Sequence, residues 1–210
     1  SALCMGDDFK PEMTAGHSLG EFSALVAAGA LSFEDGLKLV YARAMAMQKA
    51  CEATPSTMAA IIALPDEKVE EICASVTAEG EVCVPANYNC PGQIVISGKK
   101  AAVEEACEKL KAAGAKRAIM LNVSGPFHSG MLVGAGEKLG KVLENVEIHK
   151  PVIPYAANVT AQYVTEAEPV KDLLVKQVSS SVKWQQCVET MLADGVDTFI
   201  EIGPGKTLAG

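Results

Sequence analysis

The stretch TAGHSLGEFSALVAAGAL, residues 14–31, sets Ser18 between Gly16 and Gly20 at the mouth of an apolar helix. Gly16-His17-Ser18-Leu19-Gly20 fits G-x-S-x-G, in which a strand runs into a helix through a strained turn that leaves the serine Oγ exposed. The small residues on both sides of Ser18 are expected to let the backbone fold tightly. Free N–H groups and the helix dipole at that end favour developing negative charge. The bland reading of the same residues is a helix whose N-cap is Ser18. Leu19, Phe22, Leu25 and Val26 share one face, which predicts a helix over 18–30, with residues 12–17 leading into the turn.

The 210 residues suffice for one large domain, or for a main domain with a smaller insert. A 49% hydrophobic and 21% charged composition is that of an ordinary globular chain. The net charge of −8 argues against nucleic-acid and anionic-membrane partners. The longest apolar runs, such as ALVAAGAL, stop well short of a membrane span, and no basic-then-apolar leader opens the sequence. The seven cysteines are an odd, scattered set without a CxxC pair, read as reduced, mostly buried thiols of a cytoplasmic protein. His17, His128 and His149 show no metal-ligand spacing with them, so neither a metal nor a cofactor is expected.

Outward from the serine turn, Ser32 with Asp35 resembles a capping box opening a helix over 33–52. Beyond EATPST, the rhythm changes. MAAIIAL (58–64) reads as a strand, 66–76 as a helix, 82–89 and 93–98 as strands joined by CPG, 101–114 as a glycine-capped helix and 115–121 as a strand. The order β-α-β-β-α-β is that of a ferredoxin-like unit, placed at 55–121 as an inserted small domain. Residues 1–54 and 122–210 then form a discontinuous large domain. In its second part, helices are predicted near 131–145, 168–178 and 184–194, and strands at VIPYAAN (152–158) and TFIEIG (198–203). The turn GPGKTLAG then closes the sequence. Strands alternating with helices suggest a mostly parallel sheet.

A serine nucleophile needs a base. His17 is adjacent, and neighbouring side chains on a tight turn diverge. His149 lies in the charged stretch NVEIHKP and reads as solvated surface. His128, in the loop SGPFHSGM directly after the insert, is the candidate base, weighed against an ordinary loop histidine. Arg43 is one of only two arginines and lies in LVYARAMAMQKA, a helix with few other charges. Its guanidinium needs acceptors: an internal acid, or a substrate carboxylate held bidentate. In ANYNCPGQIVISG (86–98), Asn89 and Gln93 are candidate substrate contacts within what is otherwise hairpin chemistry. EIGPGKTL (201–208) lacks the P-loop pattern and reads as a plain turn. Lys99, Lys100, Lys111, Lys116 and Arg117 make a locally basic region, either solvated surface or a landing place for an acidic partner.

Taken together, GHSLGEFSALVAAGALSFEDGLKLVYARAMAMQ, NYNCPGQIVISG, AGAKRA, SGPFHSGML and EIGPGKTL resemble the malonyl-CoA:acyl carrier protein transacylases and the related acyltransferase domains of polyketide synthesis. The likeness runs over essentially the whole sequence, with the motifs in order. It implies an α/β-hydrolase-like large domain, incomplete here, with a ferredoxin-like α+β insert. It also implies malonyl transfer from malonyl-CoA to the phosphopantetheine thiol of acyl carrier protein in fatty-acid synthesis. Ser18 matches the acyl-accepting serine, His128 the base, and Arg43 the partner of the malonyl carboxylate. The backbone N–H of Leu19 would be one oxyanion donor. The family histidine is oriented by a backbone carbonyl, expected here from SSSVKW around Lys183. Phe127 resembles the malonyl-selective form of its loop.

Two departures stand out. Ser181 replaces a common proline, with little consequence expected. The family's initial strand and GQG-x-Q loop, source of the second oxyanion donor, have no counterpart in these 210 residues. The expectation is a chain that is impaired alone, with apolar surface uncovered, or one part of the working protein, since one such donor is worth roughly a hundredfold to a thousandfold in rate. Two rival readings remain: a serine hydrolase or thioesterase, which needs an acid between serine and histidine, and a non-catalytic remnant.

Overall fold

The computed structural model describes residues 10–78, 81–123 and 125–209. Strand β1 (Thr14–Ala15) enters the serine turn and helix α1 (Gly20–Ala27) leaves it. The helix is shorter than the predicted 18–30. Ser18 is left-handed, with φ 53°, so it forms the corner of the turn and the helix starts after it. Helix α2 (Phe33–Cys51) follows, capped as expected: Ser32 Oγ accepts the Asp35 N–H at 3.1 Å and donates to Asp35 Oδ2 at 2.8 Å.

Next come β2 (Ser56–Ile62), α3 (Asp66–Ala78), β3 (Cys83–Cys90), β4 (Gln93–Lys99), α4 (Lys100–Ala112) and β5 (Arg117–Met120), in the predicted order β-α-β-β-α-β. The four strands form one antiparallel sheet, ordered β3-β4-β2-β5. Side chains alternate across it. Ala59, Ile61, Ile94 and Ile96 face one way and share a core with Val69 and Ile72 of α3 and Val103 and Leu110 of α4. Met58, Ala86 and Val95 face the other way, against Leu121, Val123 and Phe127. The open edge of β3 is covered by Val182, whose N–H donates to Ala86 O at 2.8 Å and whose carbonyl accepts from Tyr88 N–H at 2.9 Å.

A 3-10 turn (Gly130–Leu132) leads into α5 (Val133–Leu143), followed by β6 (Tyr155–Ala156), β7 (Tyr163–Val164), α6 (Val170–Ser179) and α7 (Trp184–Ala193). The second sheet, β1-β6-β7, has one parallel pair, Thr14 with Tyr155 and Ala15 with Ala156, and one antiparallel pair. The expected mostly parallel sheet is therefore absent among the described residues, and the strand predicted over 152–158 shrinks to two residues. The strand predicted at TFIEIG does not form either. Phe199, Ile200 and Ile202 are about half exposed, at 49%, 53% and 49%. Their alternation is strand-like, but a strand exists only where another backbone takes up its N–H and C=O groups, and none of the described residues lies alongside.

The second core joins Phe22 and Leu25 of α1, Leu39 of α2, Leu139 and Leu143 of α5, and Leu174 of α6. The outer face of α2 carries Phe33, Leu37, Tyr41 and Met45, four residues apart and all exposed. Cys73, Cys83, Cys107 and Cys187 are buried, Cys51 is half-buried and Cys90 is exposed, all of them free thiols. Cys4 lies outside the described residues. No helix among the described residues is long and apolar enough to cross a membrane.

The two glycines around Ser18 are not equivalent, contrary to the expectation that both permit the turn. A Cβ on Gly16 would collide with the Gly20 carbonyl and the Glu21 nitrogen, whereas one on Gly20 meets nothing within 4 Å. Gly16→Ala is expected to lower the melting temperature sharply. Gly20→Ala, at a helical position, is expected to leave it unchanged or raise it, by at most about 1 kcal/mol of helix propensity. Equal losses from the two substitutions would contradict this placement of the turn.

Candidate active site

The serine turn is held from distant parts of the sequence. Ser18 N–H donates to Asn158 Oδ1 at 2.7 Å, and Asn158 Nδ2 donates to Gly16 O at 2.8 Å. Gln177 Nε2 donates to Ser18 O at 2.8 Å. These bonds fix the peptide groups on both sides of a strained residue, so Oγ has a defined direction.

That direction is toward His128. Ser18 Oγ lies 2.8 Å from His128 Nε2, and His128 Nδ1 lies 2.9 Å from Gln177 O. A carbonyl can only accept, so Nδ1 carries the proton and Nε2 presents its lone pair to the Ser18 hydroxyl. The orienting carbonyl is Gln177's and not one near Lys183, which corrects the expectation. Gln177 lies in the last turn of α6, where carbonyls have no partner within the helix, whereas the Lys183 carbonyl accepts the Cys187 N–H at 2.9 Å. His128 is itself left-handed, with φ 57°, and only 4% exposed. Burial, reinforced by the nearby Arg43 and His17, lowers its pKa to about 4 against the pull of the Gln177 and Ser180 carbonyls, so the ring is neutral at pH 7.

Arg43 reaches the same oxygen from the inner face of α2. Its Nη2 donates to Ser18 Oγ at 2.8 Å and to Gln177 Oε1 at 3.1 Å. The guanidinium lies 5.8 Å from the centre of the Phe22 ring. Arg43 is 6% exposed, and its Nε–H is buried without an acceptor among the described residues. Burial lowers its pKa to about 10, with Glu21 opposing, and it stays charged. Burial likewise raises the fully buried Glu21 to about 7, against the Gln177 hydrogen bond, the Asn158 N–H and Arg43. In a direct ion pair the two values would move the opposite ways. The contacts instead link Glu21 to Arg43 through Gln177, whose Nε2 donates to Glu21 Oε2 at 2.6 Å.

Ser18, Arg43 and His128 open on a cavity of about 720 Å³, lined also by Met47, Cys51, Asn87 and Phe127. Asn89 and Gln93, the candidate substrate contacts, do not line it. Asn89 Oδ1 accepts from His17 Nε2 at 2.9 Å, and its Nδ2 donates to Gln93 Oε1 at 3.3 Å. Register shifts in β3, between Pro85 and Asn87 and between Tyr88 and Cys90, break the strict alternation that would let both asparagines face the cavity. His17 is thus engaged by Asn89 and sits beside the Trp184 ring, while His149 is exposed. Leu19 caps α1, and its N–H has no acceptor among the described residues, next to the N–H groups of Gly20 and Glu21 that bond His17 O and Ser18 O. In the basic region, Lys99, Lys100 and Lys111 face Glu81, Glu104 and Glu108.

Glu21, Asn158 and Gln177 escaped the reading of the sequence. Glu21 sits on the apolar face of α1, next to Phe22 and near Leu25, and Gln177 on the buried face of α6 with Leu174 and Val178. A polar residue at a core position of a helical repeat was the available signal. Because Glu21 has a folded pKa above its unfolded value, folding retains a proton between pH 4.5 and about 7. That contribution is complete below the unfolded pKa and is lost as the pH rises through 7. Glu21→Gln, which does not ionise, is therefore expected to gain roughly 2–4 kcal/mol relative to the parent between pH 4.5 and 8. Chemical denaturation of both proteins across that range measures it; parallel stability curves would contradict it.

The sequence profile of the family described as "Acyl transferase domain" matches residues 2–209. Among curated relatives, the malonyl CoA-acyl carrier protein transacylase of Bacillus subtilis (strain 168) is 49% identical over 200 residues, 95% of this chain and 63% of that protein. An acyl carrier protein S-malonyltransferase structure from Vibrio cholerae superposes with a TM-score of 0.93 at 47% identity, covering 96% of this chain and 65% of that one. A malonyl-transacylase solved in complex with a type II PKS acyl-carrier protein gives 0.92 at 42% identity, covering 96% and 65%. The chain thus spans just under two thirds of the length of these relatives. With a profile matched across nearly all its residues, it belongs to the acyl transferase domain family.

Proposed function

We propose that this chain carries the transfer site for a malonyl group, from malonyl-CoA to the phosphopantetheine thiol of acyl carrier protein, through a malonyl ester on Ser18. The observation that carries the reading is that one hydroxyl oxygen, Ser18 Oγ, lies 2.8 Å from both a neutral imidazole nitrogen and a buried guanidinium. Oγ attacks the thioester carbonyl while His128 Nε2 takes its proton. The C–S bond breaks, and the departing CoA sulfur takes the proton from Nε2. The carrier thiol then attacks the ester, again giving its proton to His128, which returns it to Ser18. The unoccupied Leu19 N–H is suited to the developing oxyanion.

Arg43 supplies selectivity. Its buried Nε–H lacks an acceptor, and a carboxylate on the acyl group would supply one, whereas an acetyl group would leave the demand unmet. The similarity to named malonyl transferases, including one solved with its carrier protein, supports both substrate and partner. A thioesterase reading is disfavoured at His128 Nδ1, which meets a carbonyl where a hydrolase triad has a carboxylate.

The same reading divides the chain into a hydrolase-like large domain, 1–54 and 122–210, and a ferredoxin-like insert, 55–121. The strand order β3-β4-β2-β5 with α3 and α4 on one face supports the insert, as do the two separate cores. The scattered free thiols support a reducing, cytoplasmic setting.

Intact-mass and peptide mapping after incubation with malonyl-CoA tests the function. A single malonyl adduct on Ser18 is expected, stable until a carrier thiol is added. It is absent in Ser18→Ala and formed at least about a hundredfold more slowly in His128→Ala. Arg43→Ala should abolish the preference for malonyl-CoA over acetyl-CoA. No adduct, or release of malonate without an acceptor, would overturn the proposal.

A further inference from the structure

Glu21 has no part in the chemistry above, yet it is a carboxyl with no exposed surface in the first turn of α1, where acids are seldom buried without a purpose. Its side chain makes no direct bond to the serine turn, whose peptide groups are held by Asn158 and Gln177. Its one short side-chain contact is with Gln177 Nε2, at 2.6 Å; the other, from Asn158 N–H, is 3.4 Å long.

The Gln177 carboxamide faces four groups. Arg43 Nη2 can only donate, Ser18 O can only accept, Asn158 Oδ1 accepts, and the Glu21 carboxylate oxygen Oε2 accepts. With Oε1 toward Arg43, the two hydrogens of Nε2 go to Ser18 O at 2.8 Å and Glu21 Oε2 at 2.6 Å, with Asn158 Oδ1 farther off at 3.5 Å. In the flipped amide, an oxygen would face these acceptors and an NH₂ would face a donor. Glu21 supplies the shortest of the three contacts that enforce this orientation.

We propose that Glu21 is a positioning residue for acyl selectivity: by fixing the Gln177 amide, it holds Oε1 against Arg43 and so aims the guanidinium at the acyl group. This rests on the reading of Arg43 as the partner of the acyl carboxylate. Removing the Glu21 carboxyl takes away the shortest bond to Nε2, frees the amide to turn, and so leaves Arg43 Nη2 with Ser18 Oγ as its one fixed acceptor of the two.

The test has a direct readout, because the chain contains only two arginines, Arg43 and Arg117. In ¹⁵N-labelled protein, Arg43 is expected to show distinct, slowly exchanging Nη resonances. Glu21→Leu should speed their exchange at least about tenfold, leave Arg117 unchanged and lower the malonyl-over-acetyl labelling ratio of Ser18 by about tenfold through malonyl-CoA KM, the scale of one hydrogen bond to a charged group. Acetyl labelling should fall less than malonyl labelling, since a neutral acyl group makes no use of the guanidinium and Asn158 still holds the Ser18 N–H. Glu21→Gln keeps an acceptor toward Nε2 and should restore both readouts. Gln177→Met should reproduce the Arg43 exchange effect, and Glu21→Met, an unbranched apolar side chain of similar length, takes the same readouts if Glu21→Leu does not fold. Unchanged Arg43 exchange, or equal losses of malonyl and acetyl labelling, would overturn the proposal. If Arg43→Ala keeps the malonyl preference, the carboxylate reading itself fails, while the exchange rates still report whether Glu21 positions the guanidinium.

Discussion

Ser18 and His128 both occupy the left-handed backbone region, and the 2.8 Å contact between them exists because both are held there. A non-glycine residue in that region costs roughly 1–3 kcal/mol, and it persists only where surrounding bonds over-determine it. Here, the bonds come from Asn158 and Gln177, 140 and 159 residues from Ser18, while the imidazole is fixed by a carbonyl of α6. The turn is local in sequence but its support is not. The site therefore depends on β6 and α6 packing correctly against the elements that begin at Thr14.

Beneath the cavity lies a polar layer of Glu21, Arg43, Asn158 and Gln177, each at most 6% exposed, enclosed by the apolar core of α1, α2, α5 and α6. In such low-dielectric surroundings, hydrogen bonds are strong and unmet groups are costly, so the layer has one favoured arrangement. Arg43 Nε–H has no acceptor among the described residues, and Nη2 of the same guanidinium donates to Ser18 Oγ. The proposed selectivity for a charged acyl group and the rigidity of the turn thus draw on the same buried layer.

Much of this was legible in the sequence. Ser18, His128 and Arg43 could be named because each stands out against its neighbours: a serine between glycines, a histidine in a glycine-proline loop, an arginine on a nearly uncharged helix. The small sheet was legible because its strands and helices keep clean periods of two and 3.6 residues. Glu21, Asn158 and Gln177 were not, since a single polar residue in an apolar repeat does not say which distant group it meets. The orienting carbonyl was misplaced because any residue near a helix end can offer one. Asn89 and Gln93 were named where Asn87 lines the cavity, and the bulges in β3 that separate the two asparagines leave no mark in the sequence. TFIEIG alternates like a strand, but pairing is decided by a neighbour that lies outside the segment itself.

The hydrogen bonds of the site run in one direction: Ser18 gives a hydrogen to His128 Nε2, and His128 Nδ1 gives one to Gln177 O. With only three histidines in the chain, ¹⁵N imidazole spectra can assign each ring and follow it with pH. The account requires His128 to be protonated on Nδ1 and bare on Nε2 at pH 7, and to stay neutral until the pH nears its pKa of about 4. A proton on Nε2 at neutral pH, or titration of His128 near the ordinary histidine value of about 6.5, would contradict it.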